Sequence, residues 1–569
     1  MSRARAGTAL LGLLTLMGCQ ASIDGTSGPH RGGSGGVGGS GTGSGASSTG
    51  GGPNTATLGR DAVAQRCDSS QFAPPQLRRL TAPELERTLR DVFPSLASGW
   101  AGVRLGADPV SPLGFSNDAR TLVVASQTAQ ELLSTADDVA ANVTPAALAA
   151  LVPCTGDAAA NRSCADQVVQ SVGRRLFRRA LTAEEAADYG ALYDSVAVKS
   201  DFATGLHWLL VAMIQSPSAV YRSELGTPDG ATRKLTPEEL ASELSYTYGG
   251  TAPSAELLAA AQRGELATPE ARVAKAKELL GTPAGHAQLQ QFLAEWSGYG
   301  RVASKTKTTV MNFEALRDSM QQETKLFFDE AVFNRKGGVR ELLTASYTFV
   351  DASLAGLYGF GSAASGFAQV ERPAGQGIGI LAQGSMLAGA AHADGSSPTL
   401  RGLIVYERLM CHQRRPPPPN VPGIEAPMPG AKTTRQRYEM SHRNSASCAS
   451  CHQFFDPLGF GFEHFDEAGR FRANENGLDI DATGQALAFP DTSVVFSFNG
   501  AEDLAQQLAA QPAVADCVSG LAAAYAFAGA GGRTCLAEDA RSAFAEGDMG
   551  VLDYFAQLAA SPSFAERAP

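Results

Sequence analysis

Long apolar runs are missing from this sequence after its first few residues, so no later stretch reads as a membrane-spanning helix and the body is expected to be soluble. A positive excess is missing as well. Lys and Arg number 46 against 57 Asp and Glu, a formal net charge of -11, which excludes a nucleic-acid-binding surface on bulk electrostatics. The acidic balance reads mainly as solubility, with little support for docking to a basic partner. No phosphate-cradling glycine loop, dinucleotide fingerprint or Ser-His-Asp set is present, so those enzyme classes have no support. What is there suits a globular protein: 569 residues, 44% hydrophobic and 18% charged, enough for about three or four domains with sizeable cores.

The most informative stretch is Cys448-Ala-Ser-Cys451-His452. C-x-x-C-H is the attachment pattern of a c-type haem. Two thiols three residues apart can bond the vinyl groups on one porphyrin edge, and the next residue, His452, can bind iron as the proximal ligand. Two other readings stay open. The pair could be half of a zinc site completed by His442 or Cys411. It could also be a thioredoxin-like redox pair, although no βαβ pattern surrounds it.

The N-terminus reads as a targeting signal. Arg3 and Arg5 precede a short apolar core from Ala9 to Met17. Leu16-Met17-Gly18-Cys19 resembles the lipobox of bacterial lipoproteins, which implies cleavage before Cys19 and lipidation of its thiol. Gln20 follows instead of Asp, which favours the outer membrane. An ordinary secretory signal that happens to contain a Cys is the alternative. Residues 22–57 are rich in Gly, Ser and Thr and read as a flexible tether. With Cys19 assigned to lipid and Cys448 and Cys451 to haem, six of the nine cysteines remain for an oxidising compartment. Cys154 with Cys164, and Cys517 with Cys535, are close enough for local disulfides. Cys67 and Cys411 are then left over, and sequence does not fix the connectivity.

The body reads as helical. Thr81-Ala-Pro-Glu84, Thr182-Ala-Glu-Glu185 and Thr236-Pro-Glu-Glu239 are capping boxes, and Asn499-Gly-Ala-Glu502 is a weaker start. Leu85, Leu89 and Val92 follow the first box at helical spacing, and Asn312–Asn334 is an amphipathic candidate. Trp208 and Trp296 are expected in the core. Asp456-Pro457 and Gly459 predict a turn leaving the helix of the haem motif, and Phe460, Phe462 and Phe465 are expected in a haem wall or in general core. Pro416–Pro419 reads as a rigid strap. Asp479–Gly484 opens like a calcium loop, but Pro490 stands where the bidentate Glu belongs, so it reads as a turn.

These stretches resemble, in order, the multi-domain planctomycete-cytochrome-c-type proteins. The likeness is carried by Arg79–Phe93, Cys164–Glu185, Leu235–Leu244 with Phe292–Trp296, Ser397-Pro-Thr-Leu-Arg401-Gly402, Pro416–Val421, Cys448–Asp466 and Asn499–Gly529. It implies a mainly α protein: a multi-helical array of several small domains with an embedded cytochrome c-like haem module and few short strands. The expected divisions are a signal peptide at 1–18, the lipidated Cys and tether at 19–66, helical domains at 67–150, 151–226 and 227–370, the haem module at 371–475 and a C-terminal helical domain at 476–569. A further N-terminal cytochrome domain is frequent in the family. Here the tether takes its place and no second C-x-x-C-H occurs, so one covalent haem c is expected.

The sixth iron ligand is open. His442, in a His-Arg pair common in the family, and His392 are the histidine candidates, with Met428, Met440 and, less so, Met386 as alternatives; for any one of them a structural role is the simpler reading. The leading expectation is an exported, lipid-anchored monohaem cytochrome acting in electron transfer with an unidentified redox partner. A haem-dependent oxidoreductase on an unknown substrate and a non-catalytic zinc-binding scaffold are the alternatives.

Overall fold

The computed structural model describes residues 72–569 except 98, 144–146, 149–151, 153–161, 362–365, 415–429, 444–445, 530–537 and 548. The expectations for the signal segment, Cys19, the tether, Cys67, Cys154, Cys535, Met428 and Pro416–Pro419 lie outside the described residues. The architecture is mainly helical, with only short antiparallel strand pairs. Among the described residues no helix is long and apolar enough to cross a membrane.

Three helices begin as their sequences predict. α1 (Ala82–Val92) is capped by Thr81, whose hydroxyl accepts from Glu84 N while the Glu84 carboxylate accepts from Thr81 N. Thr182 and Glu185 do the same for the helix Ala183–Ala197, and Thr236 and Glu239 for Pro237–Gly249. Each cap satisfies N–H groups that helix geometry leaves unpaired and contributes about 1 kcal/mol. Leu85, Leu89 and Val92 are buried, as their spacing requires. The fourth start differs. Gly500–Ala509 begins without a side-chain cap from Asn499, whose own N–H donates to Asp503 at 2.8 Å.

The described helices divide between two large hydrophobic cores and a small third one. Leu80 to Val220 share one core, so the divisions expected at 67–150 and 151–226 pack together. Residues from the expected third domain, the haem module and the C-terminal domain share the other, from Phe115 and Ala241 through Phe454 to Phe564. Val302, Phe313, Met320 and Leu354 belong to the small core. Arg567, near the chain's end, joins the first described strand pair. Gln76–Arg79 pairs antiparallel with Tyr221–Glu224, and Arg567 reaches Glu224 at 3.0 Å in a buried cluster where Arg222 also meets Glu224 and Glu243.

Three expectations are corrected. Trp296 is buried, but Trp208 is 45% exposed, edge-on to His207 at the surface. Phe313–Phe328 is helical, but the remainder to Asn334 widens into a π-helix. Finally, Cys517 bonds to Cys411, 106 residues away, so neither the Cys517–Cys535 nor the Cys67–Cys411 pairing holds. The reason is tertiary: the Pro512–Ala526 helix buries Cys517 against the end of the Pro398–Arg408 helix, where Arg408 O lies 3.6 Å from its sulfur. Cys164 is disulfide-bonded, and its expected partner Cys154 is outside the described residues.

Candidate haem-attachment site

Three further helices build the site: α2 (Pro398–Arg408), α3 (Thr434–Arg443) and α4 (Ala446–Phe460). Cys448, Cys451 and His452 lie on α4. The predicted turn at Asp456-Pro457 is not formed. α4 continues through Pro457 to Phe460, with Asp456 inside the helix. Tertiary packing overrides the local breaker signal. Gly459 of α4 sits directly on the carbonyl of Pro398, and Gly402 of α2 sits on the carbonyl of Phe455, so the two backbones touch where any Cβ would intrude.

The Ser397–Gly402 stretch thereby acquires a role at nearly every residue. Ser397 caps α2, and Pro398 occupies its first turn. Thr399 donates to the Asp456 carboxylate at 2.6 Å. Arg401 is buried and donates to the carbonyls of Phe462 at 3.0 Å, Phe465 at 2.6 Å and Leu387 at 3.2 Å, tying the loop that follows α4 to the body. Burial lowers its pKa to about 10.

Asp456 is the hub of the site. It lies one turn after His452, and both its oxygens stand 3.1 Å from His452 Nδ1. The same carboxylate meets His442 Nδ1, from α3, at 2.5 Å. Burial acts to raise the Asp456 pKa, but the hydrogen bonds from His442 and His452 outweigh it and hold the carboxyl below its usual range. His442, His452 and Asp456 together form a group able to hold a metal ion. The sequence reading missed Asp456, although its i, i+4 spacing from His452 was the available signal.

The other expected ligands are placed as follows. The His442 ring lies 3.6 Å from that of His452, centroid to centroid. Both imidazoles meet the same Asp456 carboxylate, so His442 stands beside His452. His392 stands apart, with Nε2 3.4 Å from the Tyr438 hydroxyl, and Tyr438 packs between it and His442. Met440 is at the surface and Met386 in the main core. Phe460, Phe462 and Phe465 are buried. Asp481 accepts from Thr483 N and Oγ1, which is a turn, as read.

The donor set fits a c-type haem. Cys448 and Cys451 are free thiols with surface access, one turn apart on α4. His452 is held through Nδ1 by a carboxylate, the arrangement that fixes a ligating histidine and leaves Nε2 for iron. A cleft of 870 Å³ lies beside α4, lined in part by Ala449, Gln453, Phe460 and Arg443 but by none of Cys448, Cys451 and His452, and the pocket that His452 lines with His442 and Asp456 is about 30 Å³.

Comparison with known proteins gives four family profiles in chain order, each described as a protein of unknown function. PSD3 (DUF1587) matches residues 78–145, PSD5 (DUF1595) 164–224, PSD4 (DUF1592) 235–360 and PSCyt3 (DUF1588) 378–475. No curated protein and no solved structure matches the chain. The segment matched by PSCyt3 contains Cys448, Cys451, His452 and Asp456. By this ordered set of domains, the chain belongs to the multi-domain planctomycete-cytochrome-c-type family.

Proposed function

We propose that the protein is an exported, lipid-anchored monohaem c-type cytochrome-like protein that acts in electron transfer. The observation that carries this reading is the conjunction, on one helix, of two free thiols with a histidine oriented through Nδ1 by Asp456. A bound haem c supplies one-electron iron chemistry. Cys448 and Cys451 hold the porphyrin, His452 ligates through Nε2, and Asp456 keeps the imidazole in the ligating tautomer. Cys19 carries the lipid, and the Gly/Ser-rich tether lets the body stand off the outer membrane to meet a redox partner protein.

The test is expression with a c-type haem maturation system, then a pyridine haemochrome spectrum of the denatured chain. A c-type band that stays with the polypeptide is expected, and its loss in Cys448→Ala/Cys451→Ala. Covalent haem persisting in that double variant sinks the attachment.

The His442–His452–Asp456 group favours one second reading, a zinc-binding scaffold. Purified protein carrying stoichiometric zinc and no haem selects it.

A further inference from the structure

A cleft of 930 Å³ separates the segment Val110–Gly114, the end of the Pro283–Ser297 helix with the turn after it, and the end of α2 with Cys411–Arg414. Its charged groups are unequally satisfied. Glu407 is paired with Arg414 at 3.1 Å. Glu295 accepts from Ser116 N at 3.1 Å, Ser116 Oγ at 2.5 Å and Gln291 Nε2 at 2.7 Å. Arg301 and Arg408 line the same cleft, and neither is ion-paired among the described residues. Three guanidinium groups therefore face two carboxylates that are already engaged.

Both unpaired arginines rest on glycines with left-handed backbones. Arg408 lies over Gly114, φ +84°, and Arg301 over Gly298, φ +70°, so a side chain at either position would displace the guanidinium. Arg408 is buried, donates to the carbonyl of Leu113, and keeps a buried Nε with no partner. Burial and then the nearby Arg301 charge lower its pKa. His412 is 8% exposed and lines the cleft; its Nε2 is buried and has no hydrogen-bond partner. Pro112, Leu113 and Leu521 supply an apolar wall.

We propose that this cleft binds a small organic acid, with its carboxylate on Arg301 and Arg408 and its apolar body along Pro112, Leu113 and Leu521. A guanidinium is matched to a carboxylate in shape and charge. The cleft is joined to the attachment site by packed rings: His412 on Tyr406 at 4.7 Å, Tyr406 on Phe455 at 5.9 Å and Phe455 on His452 at 4.8 Å between centroids. Occupancy of the cleft rests on neither the haem nor the anchor, so its failure and theirs are separable.

The experiment titrates the full chain with benzoate, the smallest probe with both features, and with benzamide, its neutral counterpart, by isothermal calorimetry. One benzoate per chain with a Kd on the order of 1 mM is expected. Binding should weaken roughly tenfold for benzamide and for Arg301→Gln, the loss of one charge-assisted contact. Arg301 is at the mouth of the cleft, so the variant should keep the wild-type melting temperature. No saturable benzoate binding, equal binding of benzamide, or unchanged binding in folded Arg301→Gln overturns the proposal.

Discussion

His452 and Asp456 stand one turn apart on α4, with Nδ1 of the imidazole 3.1 Å from both carboxylate oxygens. A carboxylate acceptor on the far nitrogen makes an imidazole a stronger donor to a metal and favours the more oxidised state. Asp456→Asn is therefore expected to keep covalent haem, because neither thiol is touched. Its reduction midpoint should rise by about 60 mV, the one-electron equivalent of a tenfold change in relative affinity. Spectroelectrochemistry of the two proteins measures this. An unchanged or lower midpoint contradicts the positioning role of Asp456.

The contact between α2 and α4 has no room for a methyl group. At Gly402 and Gly459 an added Cβ meets the backbone carbonyls of Phe455 and Pro398, which cannot rotate away as a side chain would. Gly402→Ala or Gly459→Ala should lower stability by about 1–3 kcal/mol, the usual cost of overpacking, or more. Gly356 is the opposite case. It lies exposed within the helix Ala352–Tyr358, with nothing within 4 Å of a built Cβ. Gly356→Ala should raise stability by about 0.5–1 kcal/mol. Urea denaturation midpoints of the three variants provide the comparison, and equal effects would refute the close approach.

What could be read in the sequence was local. The capping boxes at Thr81, Thr182 and Thr236 are complete within four residues, so each predicts its own helix. The Cys448–His452 pattern is equally short-range. Asp456 was misread because Asp-Pro is a turn signal in isolation, and only the glycine contacts with α2, some sixty residues earlier, explain a helix that runs through it. Trp208 reads as core by composition, but which face of the Phe202–Gln215 helix meets a neighbour is a tertiary fact. Arg301 and Arg408 of the 930 Å³ cleft come from segments more than a hundred residues apart and carry no local signature.

The Cys411–Cys517 bond closes a loop spanning 106 residues. On the chain-entropy account such a cross-link contributes about 4–5 kcal/mol by restricting the unfolded chain. Cys411→Ser/Cys517→Ser is expected to lose about 2–5 kcal/mol. Peptide mapping without reductant should recover Cys411 and Cys517 in one linked fragment. A fragment linking Cys517 to Cys535 instead would overturn the pairing.

Lys307 offers a test in pH. Its Nζ is buried and donates to the carbonyls of Ala391 at 3.2 Å and His392 at 2.8 Å, the latter residue having been a candidate ligand. Burial, then the positive charge of Arg401, lowers its pKa from 10.5 to about 8. Between those two values the unfolded chain binds more protons than the native one, so stability rises with pH across that window. Below pH 8 the native state carries the full cost of the buried charge. Lys307→Met removes the titration, and with it a positive charge that helps to lower the His392 pKa. Comparing unfolding free energies at pH 7.0 and 9.5, wild type should gain on the variant by about 1–2 kcal/mol. A difference that stays constant, or moves the other way, means that the Lys307 ammonium is not desolvated in the folded protein.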